Sequence, residues 1–282
     1  MSRILVTGYK GFIGSSLLDT LKRSGHDVIG FDGDVTESSN FLRYENKNIT
    51  HCFHLAGKSF VPDSWQNPAD FMKVNVYGTE RVLEFCRKNK IALTFISSYL
   101  YGVPKQLPIS EEHPLQPNNP YALSKSLAEQ LCVFYSSYYD VRTTIIRPFN
   151  VYGPKQDTRF LIPSLISQFL SPGSEVNVKD TSPKRDYVYL SDLINALIKT
   201  IDVKERSLVL NIGSGYSLSV EQVIDEIKKA ASSNKTIISS NEVRVNEIPD
   251  TIADISKAKK YLNWEPKISF PEGIKAIISN HH

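Results

Sequence analysis

Two residues able to act together on a proton stand four apart near the middle of the chain, Tyr121 and Lys125. The segment Tyr121 to Tyr139 has helical texture, so both side chains leave one face with a rise of about 6 Å between them. A free phenol titrates at about 10, too high for a base at neutral pH, but a neighbouring ammonium favours the phenolate. Alone, a Tyr and a Lys at this spacing mostly mark a helix surface. Just upstream, however, the apolar run Ile91 to Ser98 ends in the hydroxyls of Ser97 and Ser98, which brings a hydrogen-bonding group toward the pair.

The start of the chain indicates what such a pair would work beside. Gly8, Gly11 and Gly14 stand three apart in Ile4-Leu5-Val6-Thr7-Gly8-Tyr9-Lys10-Gly11-Phe12-Ile13-Gly14, where a strand should hand over to a helix. Missing side chains allow a tight turn, let a pyrophosphate approach backbone N–H groups, and seat the helix close to the sheet. Asp32 ends the second apolar run 18 residues beyond Gly14, where a carboxylate accepts from the adenosine ribose and repels a 2'-phosphate. That favours NAD over NADP. Lys10 in the loop offsets part of a phosphate's charge, so NADP stays open. A bound nicotinamide would strengthen the bias toward phenolate, and Tyr121 could exchange a proton with a hydroxyl while hydride passes to or from the same carbon. His54-Leu55-Ala56-Gly57 closes the next strand with small residues, as a backbone beneath a cofactor requires; His54 itself reads as structural.

These groups need a scaffold. Short apolar runs alternate with longer helical patterns: Arg3 to Thr7 with Phe12 to Ser24, Asp27 to Phe31, Thr50 to Leu55 with Ala69 to Lys88, Ile91 to Ser97 with Tyr121 to Tyr139, and Arg142 to Arg147. Near-continuous apolar strands separated by helices imply a parallel sheet covered on both faces. The fold class is therefore α/β, a doubly wound parallel sheet of the Rossmann type, with ligands at the carboxyl ends of its strands. After Arg147, Pro148, Gly153, Pro154, Pro163, Pro172, Gly173 and Pro183 punctuate the chain and mark a smaller α/β substrate-binding lobe. We assign residues 1–150 and about 186–212 to the dinucleotide-binding domain. Residues 151–185 and 213–282 go to the lobe, including helices over Val220 to Ala231 and Ser256 to Leu262.

Composition excludes several other classes. The 282 residues carry 33 basic and 30 acidic side chains, a net charge of +3 with no long run of one sign, so neither nucleic acid nor a membrane surface is an expected partner. Hydrophobic content of 41% is ample for a core. Cys52, Cys86 and Cys132 lie far apart within apolar sequence and read as reduced core thiols, with no metal site expected. Met1 leads almost directly into a strand without an apolar leader, so a cytoplasmic location is expected.

In combination, the glycine loop, the serine and the Tyr-Lys pair resemble the extended, sugar-nucleotide-modifying branch of the short-chain dehydrogenase/reductase superfamily. The likeness spans essentially the whole chain. It includes His54-Leu55-Ala56-Gly57, Asn75-Val76-Tyr77-Gly78-Thr79, Tyr121-Ala122-Leu123-Ser124-Lys125, Arg147-Pro148-Phe149-Asn150-Val151-Tyr152-Gly153-Pro154 and Arg185-Asp186-Tyr187-Val188-Tyr189. It implies Tyr121 as general acid/base and Lys125 as the cation that holds the nicotinamide ribose and lowers the tyrosine pKa. It implies Ser97 as the serine on the reacting oxygen, with Ser98 the alternative. Gly8 to Gly14, Asp32, Leu55, Ala56, Gly57, Asn75 and Pro148 would complete the cofactor site. A nucleotide sugar would lie between the lobes, contacted by Asn150 and with its diphosphate met by Arg185 and Arg244. A homodimer through the helices after Ala69 and Tyr121 is also implied. His113, Tyr135, Tyr138 and Tyr139 read as structural.

The residues beside the serine narrow the reaction. Sugar-nucleotide 4,6-dehydratases of this branch carry an Asp-Glu pair where this chain has Ser98 and Tyr99, and the epimerase-reductases that make GDP-fucose use a cysteine in place of Tyr99. Redox at C4 remains: reduction of a 4-keto sugar with cofactor release, or epimerisation with the cofactor retained. Between Phe31 and Thr50 the chain is too short for the usual extra helix and strand, and Gly33 to Glu37 reads as a merger of the second and third strands. This trimming, and the segment His54 to Trp65, resemble the 4-keto-6-deoxy-sugar reductases, so reduction is placed slightly ahead.

Overall fold

The computed structural model describes residues 2–242 and 247–280. Strand β1 (Arg3–Thr7) feeds helix α1 (Phe12–Arg23), which returns the chain to β2 (Asp27–Gly30). On α1, Gly14, Leu17 and Leu21 form the buried stripe, and Lys22 and Arg23 end the helix where its dipole favours cations. Next come β3 (His51–His54), α2 (Val61–Gln66) and a helical run of α3 (Pro68–Phe71), a π-turn (Met72–Tyr77) and α4 (Gly78–Asn89). The chain continues through β4 (Ala92–Ile96), α5 (Pro120–Tyr139) and β5 (Thr143–Pro148). The smaller lobe starts with β6 (Asn150–Tyr152), α6 (Leu161–Leu170), β7 (Glu175–Val178), β8 (Lys184–Arg185) and β9 (Tyr187–Tyr189). Helix α7 (Leu190–Lys199) and β10 (Ser207–Ile212) return to the sheet. They are followed by β11 (Leu218–Ser219), α8 (Val220–Ala230), β12 (Thr236–Ser239), α9 (Ser256–Leu262) and α10 (Phe270–Ser279).

The main sheet runs β10-β5-β4-β3-β1-β2, every pair parallel. Alternation along β1 shows why it is doubly wound. Ile4 and Val6 join a cluster with Leu17, Leu21, Leu193 and Leu197, whereas Leu5 joins Val82, Phe95, Cys132 and Ile145 on the opposite face. A third cluster, with Leu165, Val176, Val223, Ile227, Phe270 and Ile274, fills the smaller lobe. The three cysteines are free and buried, and they converge in the second cluster. Contact with Cys52, then burial, pushes the Cys86 thiol well above its usual range.

Two expectations need correction. Gly33 to Glu37 merges no strands: β2 stops at Gly30 and forms the sheet edge, and a 3-10 helix (Ser38–Tyr44) follows. Its Phe41 and Tyr44 pack tilted against Phe31, with centroids 4.5 and 5.1 Å away, and the Tyr44 hydroxyl donates to Gly30 O at 3.3 Å and accepts from Asp32 N–H at 2.7 Å, so this segment occupies the edge where a further strand would pair. Helix α9, assigned above to the smaller lobe, packs instead with the main sheet. Ala258, Leu262 and Trp264 lie in the cluster of Ile4 and Leu17, and Trp264 Nε1 donates to Asp192 O at 3.0 Å. Apolar spacing shows which face of a helix is buried but not which sheet it meets. No helix among the described residues is long and apolar enough to cross a membrane.

Candidate active site

A cleft of about 1050 Å³ opens between the carboxyl ends of the strands and the smaller lobe. Its lining includes Gly8, Gly11, Phe12, Ile13, Gly14, Leu55, Gly57, Ser97, Ser98, Tyr121, Lys125, Pro148, Asn150 and Arg185, and so gathers most of the residues predicted from sequence. Tyr9, Lys10, Asp32, Ala56 and Asn75 lie outside that lining. Arg244 falls outside the described residues.

The glycine loop is a backbone cradle. Gly8 has φ +69°, and a Cβ there would come within 2.6 Å of Ala56 N; at Gly14 one would come within 2.2 Å of Gly8 O. Neither contact tolerates a side chain. Gly11 caps α1 with no side-chain acceptor, so the helix presents its first N–H groups to whatever lies against the loop. These features fit a dinucleotide pyrophosphate. Tyr9 lays its ring over Gly30, where a Cβ would meet it at 2.7 Å.

Behind the loop, the ends of β1 and β3 are tied by a closed hydrogen-bond relay. Leu55 and Ala56 N–H donate to Thr7 Oγ1 at 3.2 and 3.1 Å, Thr7 Oγ1 lies 2.7 Å from His54 Nδ1, and His54 Nε2 lies 3.0 Å from Thr79 Oγ1. Thr79 then donates to Asn75 O at 2.6 Å. Only a neutral His54 protonated on Nε2 completes this chain. Burial, reinforced by the Lys125 charge, lowers its pKa to about 3 and keeps it neutral.

Asp32 and Lys10 form an exposed ion pair at 2.9 Å, just beyond β2. The Lys10 ammonium holds the Asp32 carboxyl below its usual range, and Asp32 reciprocally raises Lys10. Asn75 differs from the expected cofactor contact, because its amide is engaged inside the protein. It accepts from Lys58 N–H at 2.8 Å and donates to Lys58 O at 3.0 Å and Ser124 Oγ at 2.9 Å. Ser124 in turn donates to Tyr121 O at 2.8 Å, so Asn75 braces the turn that carries Tyr121.

Local sequence fixes that turn. Asn119 Oδ1 caps α5 by accepting from Ala122 N–H at 2.8 Å, and Pro120 follows at the first helical position. Tyr121 therefore stands in the first turn, its ring edge-on to Phe71 with centroids 6.3 Å apart. One turn on, Lys125 donates from Nζ to Ile96 O and rests 4.1 Å from the Phe95 ring centroid. Burial dominates both groups. The Tyr121 phenol is pushed up to about 12, opposite to the lowering expected from Lys125, and the Lys125 ammonium is pushed down to about 8.

Both serines line the cleft with Tyr121, and the Ser97 hydroxyl is buried there without a protein partner. Asn150 also enters the cleft, its Oδ1 accepting from Tyr99 OH at 3.2 Å and its Nδ2 donating to Asp186 O at 3.1 Å. Arg185 is partly buried, donates to Ile248 O at 2.6 Å and pairs with Glu247.

Some pairings carried no sequence signal. Arg159 lies 4.3 Å over the Phe60 ring and pairs with Asp63 at 3.2 Å, so the loop after β6 bridges the mouth of the cleft to α2. Deeper in the fold, Arg147 forms a buried pair with Glu129 at 2.6 Å and donates to Tyr101 OH at 2.9 Å, which joins α5 to the segment after Ser98. Motif residues can reveal chemistry by type and spacing, but these partners are separated by many residues and meet only on folding. Among the described residues, no group of three His, Cys, Asp or Glu side chains could hold a metal.

Known proteins resemble this chain over nearly its whole length. A putative UDP-glucose 4-epimerase of Methanocaldococcus jannaschii is 32% identical over 98% of this chain and 97% of its own. GDP-6-deoxy-D-mannose reductase of Pseudomonas aeruginosa is 28% identical over 99% of this chain and 96% of its own. The solved structure of RMD from Pseudomonas aeruginosa complexed with NADPH superposes with a TM-score of 0.94 at 26% identity, covering 99% of this chain and 98% of that one. With residues 4–213 matching its family model, the chain belongs to the NAD dependent epimerase/dehydratase family and is an enzyme of that kind.

Proposed function

We propose that the protein reduces a 4-keto-6-deoxy nucleotide sugar at C4, using NAD in its reduced form as the preferred cofactor. The observation that carries this reading is the trimmed sheet edge: β2 is the last strand, and Asp32 and Lys10 beyond it are 61% and 72% exposed. A reductase must exchange its cofactor at every turnover, and an open adenosine end suits that exchange. Gly8, Gly11 and Gly14 would hold the pyrophosphate, Asp32 the adenosine ribose, and Leu55, Gly57 and Pro148 the floor beneath the nicotinamide. Lys10 beside Asp32 relieves part of the repulsion toward a 2'-phosphate, so NADP is a second substrate of the same pocket.

The bound reduced cofactor supplies the hydride. Tyr121 supplies the matching proton: its phenol, held protonated up to about 12 by burial, donates to the oxygen at C4 as that oxygen gains negative charge. Ser97, whose buried hydroxyl has no protein partner, would bond the same carbonyl oxygen, with Ser98 the alternative. Lys125 carries the positive charge that stabilises the tyrosinate left behind until solvent returns the proton. Arg185 meets the diphosphate, and Asn150 lies against the sugar.

The enzyme works in this reading as a cytoplasmic homodimer. Leu123, Phe134 and Tyr138 are 42%, 48% and 73% exposed along α5, a stripe at helical spacing that a second copy would cover.

A 4-epimerase that retains NAD is the second reading, supported by the likeness to the Methanocaldococcus jannaschii protein. The decisive experiment measures NADH and NADPH oxidation with 4-keto-6-deoxy nucleotide sugars and assays bound NAD in the purified protein. Net consumption of reduced cofactor is expected. Tightly retained NAD without consumption would overturn the reductase reading. Unchanged turnover in Tyr121→Phe would overturn the assigned chemistry in either form.

A further inference from the structure

Within the smaller lobe the cleft is lined by a charge pair that hydride transfer does not use, Lys179 and Glu242. Lys179 Nζ lies 2.8 Å from Glu242 Oε1, and Glu242 N–H donates to Lys179 O at 3.0 Å, so both side chains spring from one point. They are 59% and 61% exposed, and an ion pair that open adds little to folding. Stability does not explain why the pair lines the cleft, just past the β7 residues Asn177 and Val178 and alongside Arg185.

We propose that Lys179 and Glu242 read the base of the substrate and select guanine, which makes the substrate a guanosine diphosphate sugar. The inference rests on the reading that a sugar nucleotide occupies the cleft. Guanine presents a carbonyl oxygen, a ring N–H and an exocyclic amino group side by side along one edge. A carboxylate accepts the two parallel donors, and an ammonium next to it donates to the neighbouring carbonyl. Because the two heads are adjacent in the structure, they match groups that are adjacent on the base. Uracil and thymine present a single N–H flanked by two carbonyls, so a carboxylate aimed at that donor faces an oxygen on either side. Adenine sets a ring nitrogen lone pair beside its amino group and again opposes the carboxylate.

The test titrates GDP, UDP and ADP into the full chain held at saturating oxidised cofactor, which occupies the dinucleotide half of the cleft. Affinities are read calorimetrically for wild type, Glu242→Gln, Lys179→Ala and Arg185→Ala. GDP should bind about tenfold to a hundredfold more tightly than UDP or ADP, the discrimination expected of charge-assisted hydrogen bonds. Glu242→Gln and Lys179→Ala should remove most of that preference while leaving UDP affinity within about twofold. Arg185→Ala should weaken GDP and UDP alike, because the diphosphate is common to both. UDP binding as tightly as GDP, or equal loss of both in Glu242→Gln, would overturn the guanine assignment while leaving the nucleotide-sugar reading intact. If none of the three diphosphates binds, that underlying reading falls, and this inference falls with it.

Discussion

Replacing Lys125 with methionine should make the ligand-free protein more stable while abolishing its activity. Lys125 is 7% exposed, and its Nζ has one hydrogen-bond acceptor, Ile96 O, and the face of Phe95 in place of water. Burial lowers its pKa from 10.5 to about 8, a gap worth about 3 kcal/mol against the charged form. Because the folded pKa lies below the unfolded one, the unfolded chain binds more protons between pH 8 and 10.5. The lysine's contribution to stability is therefore full above pH 10.5 and is lost as the pH falls through 8. Methionine fills a similar volume and carries no charge, but it strands the Ile96 carbonyl, which costs about 1 kcal/mol. The net gain for Lys125→Met at pH 7 is then about 2 kcal/mol. Chemical denaturation from pH 7 to 10.5, with wild type and variant compared at each pH, cancels the titration of every other group. The variant's advantage should be largest at pH 7 and shrink steadily above pH 8. A variant less stable than wild type at pH 7, with a difference flat across that range, would refute the claim that Lys125 is held against its own desolvation.

Three further outcomes are expected. Ser97→Ala should lower kcat by about a hundredfold, the scale of a lost contact to reacting charge, and Ser98→Ala by less; steady-state kinetics on the two variants would reverse this assignment if Ser98→Ala were the more damaging. Asp32→Ala should shift the ratio of kcat/KM values toward NADPH by about tenfold, and Lys10→Ala should shift it toward NADH; an unchanged ratio in both variants would remove the adenosine ribose from this pair. Gly14→Ala, whose Cβ would lie 2.2 Å from Gly8 O, should displace the loop and weaken cofactor binding with about 1–3 kcal/mol of overpacking, read as a lower melting temperature and a raised cofactor Kd.

Much of the fold was legible in the sequence because each signal was local. β1 matches the run Arg3 to Thr7 and β4 lies within the run Ile91 to Ser97, since continuous apolar residues suit a strand buried on both faces. The glycine loop and the Tyr121–Lys125 spacing were equally local: glycine spacing specifies a backbone path, and four residues of helix put two side chains on one face. The shortened segment after Phe31 was visible as chain length, but its form was not. Phe41 and Tyr44 fold back onto Phe31, and no local pattern distinguishes that closure from a merged strand.

The tertiary structure decided what depends on partners distant in the chain. It placed α9 against the main sheet, because a helix's apolar stripe fits any apolar surface until the chain path chooses one. It left the Ser97 hydroxyl buried without a protein partner and directed Asn75 toward Lys58 and Ser124 as a brace. It paired Arg185 with Glu247 and brought Lys179 beside Glu242, pairs separated by about sixty residues in sequence. It also set the charge states, because desolvation acts on Tyr121, Lys125 and His54 only once neighbouring elements exclude water. Residue type and spacing mark the candidate groups because neither needs a distant partner, whereas packing sets which of them meet and in what state of protonation.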